Sequence, residues 1–213
     1  MKNKFRFRKN SIRSIIASLA ILIIFNAIFY SKMPDQLPTH WNFEGQVDKY
    51  GSKFDAMIMT PGFLTIMNLF LCFMLDNDPK NERQNNFLMT IGKMSMPIIM
   101  SVVYIITVLS GLGREVNTSV IISLFLGTLF IAIGNYMPKV KRNYTMGIKL
   151  PWTLNSDENW RRTHRLGGIC FIIVGFSLIL SVFLKSEIVF LVPLFLGAII
   201  PTIYSYYLYT KGI

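Results

Sequence analysis

His40 and His164 are the two side chains in this 213-residue chain whose ordinary pKa lies near neutral pH, and Cys72 and Cys170 are its two thiols. His40 stands in Pro-Thr-His-Trp-Asn-Phe-Glu-Gly, with Glu44 and Asp48 downstream. An imidazole near a carboxylate is the raw material of general-base chemistry. A hydrolase also needs a nucleophile within reach of that base. Neither Gly-x-Ser-x-Gly nor His-Glu-x-x-His occurs in the chain. One histidine with one carboxylate is too small a ligand set to hold zinc. No Gly-x-x-x-x-Gly-Lys-Ser/Thr loop is present to cradle a nucleotide phosphate. Two cysteines are too few for a disulfide scaffold or a cysteine-rich metal site; both fall near cytoplasmic ends of apolar runs and read as small packing residues. The expectation is a protein that is not an enzyme and uses no metal and no cofactor.

The elements that carry these residues are set by hydropathy. Hydrophobic residues make up 52% of the chain and charged residues 15%, where a soluble domain carries about 25% charged. A helix needs about 20 apolar residues to cross about 30 Å of hydrocarbon. Six runs approach or meet that length: Ser14 to Tyr30, Ala56 to Leu75, Met94 to Leu112, Ser119 to Met137, Leu166 to Leu184 and Ile188 to Tyr207, none containing Asp, Glu, Lys or Arg. The same chain length could not cover six such helices with polar surface. The first run is longer than a signal-peptide core and no small-x-small cleavage site follows it, so it reads as an uncleaved span.

Charge fixes the orientation. With the N-terminus in the cytoplasm, segments 1–13, 76–93, 138–165 and 208–213 hold 17 of the 22 basic residues, as the positive-inside rule requires. This accounts for the net charge of +11 without nucleic acid. The basic tail 1–13 is expected on anionic lipid headgroups, with Phe5 and Phe7 at the interface. The fold class is therefore all-α: a polytopic membrane protein of six transmembrane helices with both termini cytoplasmic. It divides into the tail 1–13, a three-span half 14–112 with outer loop 31–55, and a three-span half 113–213 with cytoplasmic loop 138–165. Met33-Pro34 after the first span is echoed by Met137-Pro138 after the fourth, each followed by Asn, an aromatic residue and Gly. Three spans per half would give the halves inverted topology, so a 3+3 inverted repeat is an expectation.

The two long loops hold the remaining information. Loop 31–55 carries Pro34 and Pro38, which stiffen it into extended or turn geometry, then His40, Trp41, Asn42, Phe43 and Gly45. Trp41 and Phe43 can anchor at the outer headgroup level, or the loop can form a platform for an outside ligand. Loop 138–165 has an irregular part around Gly147, Pro151 and Trp152. Asn155 or Ser156 then caps a helix whose first turn holds Asp157 and Glu158. Trp160, Arg161, Arg162, Thr163, His164 and Arg165 follow, reading as a basic amphipathic interfacial helix, a partner-docking surface, or both. Gly167-Gly168 reads as a hinge into the fifth span.

The segment MPDQLPTHWNFEGQVDKYGSK resembles the signature of a small domain of unknown function in bacterial membrane proteins, Leu-Pro…Pro-x-His-Trp-Asn-x-x-Gly. The segment GNYMPKVKRNYTMGIKLPWTLNSDENWRRTHRLGG resembles the second-half signature of the SdpI-like family, immunity proteins for a sporulation-delay peptide toxin. Both stand in the family's order, so the resemblance covers nearly the whole chain. One departure is Lys149-Leu150 before Pro151, where the family pattern has Arg-Thr; lysine keeps the charge and loses the planar fork of donors.

The resemblance implies a Gram-positive plasma-membrane protein that protects against a secreted, membrane-active peptide toxin. It also implies a receptor that, with toxin present, holds a cytoplasmic repressor at the membrane. Carried over by position, His40, Trp41, Asn42 and Gly45, with neighbouring Phe43, are the toxin-contact candidates. Asn135, Pro138, Asn143, Gly147, Pro151, Trp152, Thr153, Trp160, Thr163, His164 and Gly168 match the inner motif, and Arg161 and Arg162 join them as partner-surface candidates. The expected partners are the toxin outside, a repressor inside and the bilayer, with no direct nucleic acid contact.

The alternative is a small transporter or exporter of peptide or lipid-like molecules that is not driven by ATP. Against proton coupling, the six apolar runs hold no carboxylate and no histidine, only Asn26, Asn68, Asn135 and some Ser and Thr.

Overall fold

The computed structural model describes residues 6–42, 44–81 and 86–213. The helices are α1 Lys9–Phe29, α2 Thr60–Asn77, α3 Asn86–Gly111, α4 Thr118–Tyr136, the short α5 Pro151–Asn155, α6 Asp157–Leu184 and α7 Ile188–Thr210, and the strands are β1 Gln36–Trp41 and β2 Val47–Ser52. Six helices are long and apolar enough to cross a membrane. The chain is an all-α multi-pass membrane protein, as the hydropathy predicts. It forms two compact units, one from the described residues up to 118 and one from residues 119–213.

In the first unit, α1 turns the soluble pattern inside out. Its buried residues are Ser11, Ser14 and Ser18, on one face at helical spacing, while Ile12, Ile16, Leu19 and Ile23 are exposed. Lipid is as apolar as isoleucine, so burying isoleucine gains little there, whereas a buried serine gains an interhelical hydrogen bond. Toward the outer end, Met33, Leu37, Met57, Met100, Tyr104 and Val108 form a compact apolar core, with Phe25 stacked on Tyr104 at 4.9 Å.

Two prolines supply acceptors for this packing. Proline has no N–H, so the carbonyl four residues before it loses its helical donor. Pro61 thereby frees Met57 O, in the widened turn Asp55–Met59 that leads into α2. That oxygen accepts from Tyr104 Oη at 2.6 Å and Asn26 Nδ2 at 2.9 Å. Pro97, inside α3, frees Lys93 O, which accepts from Ser14 Oγ at 2.6 Å. In each case a side chain or two on a neighbouring helix replaces the missing backbone bond.

In the second unit, α4 and α6 meet through glycines. A Cβ at Gly134 would lie 2.6 Å from Gly168 O, and one at Gly175 would lie 2.5 Å from Gly127 O. Side chains are excluded at both crossings, so the two backbones touch. Gly197 of α7 lets Val174 of α6 approach in the same way, with 2.8 Å to a Cβ.

Three readings change. The Gly167-Gly168 hinge is absent: α6 runs unbroken from Asp157 to Leu184, and both glycines are buried packing positions. For the same reason residues 157–165 are the first turns of the fifth spanning helix rather than a separate interfacial helix. The third concerns charge. Helices begin or end outside the apolar runs, α1 starting at Lys9 within the basic tail and α3 at Asn86, so Asp76 and Lys93 both lie inside spanning helices. The repeat echo is local: Met33 and Met137 are both buried beside a 3₁₀ turn, Tyr30–Lys32 and Met137–Lys139. Beyond that, 36–52 form a hairpin and 140–150 form no strand.

Candidate functional site

The outer loop is a β-hairpin. Gln36 pairs with Ser52, Leu37 with Gly51, Pro38 with Tyr50, His40 with Lys49 and Trp41 with Val47, with irregularities on either side of His40. Asn42 and Gly45 close its turn. Asn42 Oδ1 accepts from Gln46 N at 2.9 Å, Gly45 N donates to Asn42 O at 2.9 Å, and Gly45 has φ 81°, a left-handed conformation in which a Cβ is strained. The base is clamped to the helices. Leu37 is fully buried in the first unit's core, and a Cβ at Gly111 of α3 would lie 2.5 Å from its Cδ2. Lys53 Nζ donates to Met33 O at 3.1 Å and lies over the Tyr30 ring.

The arm therefore has a fixed root and an exposed blade. His40 is exposed there, its Nδ1 2.6 Å from Asp48 Oδ1, and Trp41 is half-buried. The motif brings His40, Trp41, Asn42 and Gly45 together, but in two roles: Asn42 and Gly45 shape the turn, whereas His40 and Trp41 present side chains. Phe43 lies outside the described residues, as does Phe5; Phe7 is exposed and packs on Phe73 at 6.3 Å.

The inner motif folds around His164, which is fully buried. Its Nδ1 faces Trp160 O at 2.8 Å, an oxygen that can only accept, and its Nε2 accepts from Ile148 N at 3.0 Å. These two bonds select the neutral Nδ1–H tautomer. The ring stacks on Trp160 with centroids 3.9 Å apart, and Trp160 Nε1 donates to Val140 O at 2.8 Å. Gly147, at φ 100°, passes directly over the imidazole, where a Cβ would collide with Nε2. Asn143 Oδ1 accepts from Thr145 N and Met146 N at 2.8 and 2.6 Å, closing the turn before it. Thr153 Oγ1 accepts from Leu150 N at 2.8 Å and caps α5, which Pro151 opens. Trp152 packs on Tyr206 and Tyr209. Asn159 Oδ1 receives Thr163 Oγ1 at 3.0 Å and Ser205 Oγ at 2.7 Å, tying α6 to α7.

Most of the inner motif is thus a brace for the loop. Gly168 belongs to the α4–α6 contact. Arg161 and Arg162 are exposed and share the Glu158 carboxylate, and Asn135, Pro138 and Pro151 are also exposed.

Sequence reasoning missed a third cluster. Asp76 of α2 and Lys93 of α3 form an ion pair with side chains 0% and 1% exposed. Asp76 Oδ2 also accepts from Ser11 Oγ at 2.5 Å and Arg8 N at 2.7 Å, and the Arg8 guanidinium stands 3.8 Å away. Next along, Asn68 Nδ2 donates to Ser18 Oγ at 2.9 Å and lies 3.0 Å from Ser14 Oγ. The spans do hold a carboxylate, contrary to the apolar-run reading. The available signal was the serine stripe at 11, 14 and 18, which needs polar partners.

Residues 139–205 match the SdpI/YfhL protein family, and residues 17–65 match a domain of unknown function, DUF1648. The second match ends in α2 and contains the hairpin. Over 212 residues the chain is 28% identical to Immunity protein SdpI of Bacillus subtilis (strain 168), covering 96% of this chain and 97% of that protein. It is 25% identical over 91 residues to an uncharacterized protein of Archaeoglobus fulgidus, covering 40% of this chain and 50% of the relative. No solved structure matches. Hairpin, spans and inner-loop brace, with the end-to-end likeness to Immunity protein SdpI, mark a multi-pass plasma-membrane protein whose residues 139–205 are similar to the SdpI/YfhL family and whose residues 17–65 are similar to DUF1648.

Proposed function

We propose that this protein is a membrane immunity protein that protects the cell against a secreted, membrane-active peptide toxin, with His40 and Trp41 of the outer hairpin meeting the peptide. The observation that carries the reading is the end-to-end likeness to Immunity protein SdpI, which spans both units. The rooted hairpin supports it, because a preorganised polar-aromatic edge binds without the cost of ordering a loop. A non-enzymatic role fits the residues in hand: His164 has both ring nitrogens engaged in structural bonds. Toxin sensing with repressor recruitment would use the exposed Arg161 and Arg162 on the cytoplasmic side.

The test is a toxin challenge in a sensitive Gram-positive strain lacking its own immunity gene, with membrane potential followed by dye. Retained potential and growth are expected. His40→Ala with Trp41→Ala should lose protection while the protein still reaches the membrane. Collapse of potential as in the empty-vector control, with the protein present in the membrane, refutes immunity to that peptide.

A second reading gains from the buried Asp76–Lys93 pair. Ionisable residues inside spans commonly mark transport pathways, so a transporter or exporter of peptide or lipid-like molecules that is not driven by ATP is the alternative. Uptake or efflux of labelled peptide in proteoliposomes separates the two.

A further inference from the structure

We propose that the cytoplasmic end of α6 binds an anionic phospholipid, its phosphate on Arg161, Arg162 and Arg165 and its acyl chains along the helix. The three arginines line one open cleft of about 700 Å³, together with Pro138, Leu166, Ile169 and Tyr204. One carboxylate, Glu158, serves both Arg161 and Arg162, at 2.8 and 2.6 Å. Arg165 is exposed and has no carboxylate partner among the described residues. The cluster is therefore left with positive charge in excess, in guanidinium forks suited to phosphate oxygens.

The surface beyond the arginines settles the class of ligand. Positions 162, 166, 169, 173, 176, 180 and 183 follow one helical face. After Arg162 every residue on it is apolar, and Ile169, Ile173, Phe176, Leu180 and Phe183 are all exposed, Phe183 to 73%. From Arg165 to Phe176 the helix rises about 16 Å, close to the depth of one leaflet, half of the hydrocarbon thickness of about 30 Å. A basic head followed by an unbroken lipid-facing stripe is the charge profile of one anionic phospholipid. An acidic segment of a soluble protein would meet the arginines but would not follow the cleft to Leu166 and Ile169, where it runs into the lipid-facing stripe. The orientation agrees, since the positive-inside rule places this end against the cytoplasmic leaflet, where anionic headgroups concentrate.

The experiment uses the full chain in detergent. Native mass spectrometry measures bound phosphatidylglycerol against bound phosphatidylcholine, for the wild type, Arg165→Gln, Arg165→Lys, the triple Arg161→Gln/Arg162→Gln/Arg165→Gln, and Lys211→Gln as a single-charge control outside the cleft. Preferential phosphatidylglycerol binding is expected, about fivefold weaker for each arginine removed, partly kept in Arg165→Lys and unchanged in Lys211→Gln. Equal binding of the two lipids overturns the proposal, as does an equal loss in Lys211→Gln. Full displacement of phosphatidylglycerol by millimolar inorganic phosphate also overturns it, because the cleft would then be an anion site with no use for acyl chains. If the triple substitution leaves the lipid ratio intact but abolishes binding of a poly-glutamate probe, the cleft is a protein-docking surface and the lipid assignment fails.

Discussion

Asp76→Asn removes the only carboxylate that faces Lys93 among the described residues. Lys93 is 1% exposed, so its ammonium cannot turn to water. Breaking a buried pair by removing one partner costs about 3–5 kcal/mol. The asparagine keeps one carbonyl oxygen for Ser11 Oγ or Arg8 N, which places the expected loss near the lower end, about 3 kcal/mol. Lys93→Met is milder. Asp76 then retains Ser11 Oγ at 2.5 Å, Arg8 N at 2.7 Å and the Arg8 guanidinium at 3.8 Å, and the loss falls to about 1–3 kcal/mol. The double variant carries neither charge; with Lys93→Met at about 2 kcal/mol, the middle of its range, a favourable coupling of about 3 kcal/mol exceeds that loss and should leave the double variant more stable than Asp76→Asn alone. Equilibrium unfolding of the purified protein in mixed micelles by added dodecyl sulfate, followed by circular dichroism, measures all four states. If Asp76→Asn lies within about 0.5 kcal/mol of wild type, or if the double variant is no better than that single one, the ion pair does not hold α2 to α3 and the argument is wrong.

His164→Ala should cost the second unit about 2–4 kcal/mol, because Ile148 N and Trp160 O lose their partner and the stacked ring leaves a void; dodecyl sulfate unfolding of the same protein checks it. Gly147→Ala should act in the same direction, since its Cβ meets that ring and its φ is 100°. Gly168→Val should abolish monodisperse protein in size-exclusion chromatography, because the added side chain meets Gly134 O at 2.6 Å, a rigid backbone atom. Pro97→Ala restores an N–H that competes with Ser14 for Lys93 O, so cross-linking of α1 to α3 through engineered cysteines should fall while total helicity holds.

The six spans were legible because length and freedom from charge are strong signals, and because only helices satisfy every backbone group within lipid. Their ends were not. A reading that stops at the first charged residue cuts α3 at Met94 and places Lys93 in a loop, yet Lys93 is helical and buried because Asp76 of α2 meets it. Neither residue alone reveals the partner. In the outer loop, Gly45 signalled a turn, but the pairing of Leu37 with Gly51 depends on Leu37 docking against Gly111, far away in sequence. In the inner loop the motif residues were found through resemblance. Which of them brace the fold and which stay free needs the contacts of His164 and Asn159, because a buried structural histidine and an exposed reactive one look alike in sequence.

The glycine contacts of α4 and α6 limit how this unit can move. Gly127 and Gly134 face Gly175 and Gly168, and Ile131, Ile172 and Ile179 flank the crossings. Turning either helix by one residue about its axis would drive a β-branched side chain, with one strongly preferred rotamer, into the partner's backbone. Sliding by less than a full repeat meets the same obstruction. The pair therefore behaves as a single beam through the membrane. Any displacement at its outer end arrives at the cytoplasmic arginines as a tilt of the whole beam rather than as a twist within it.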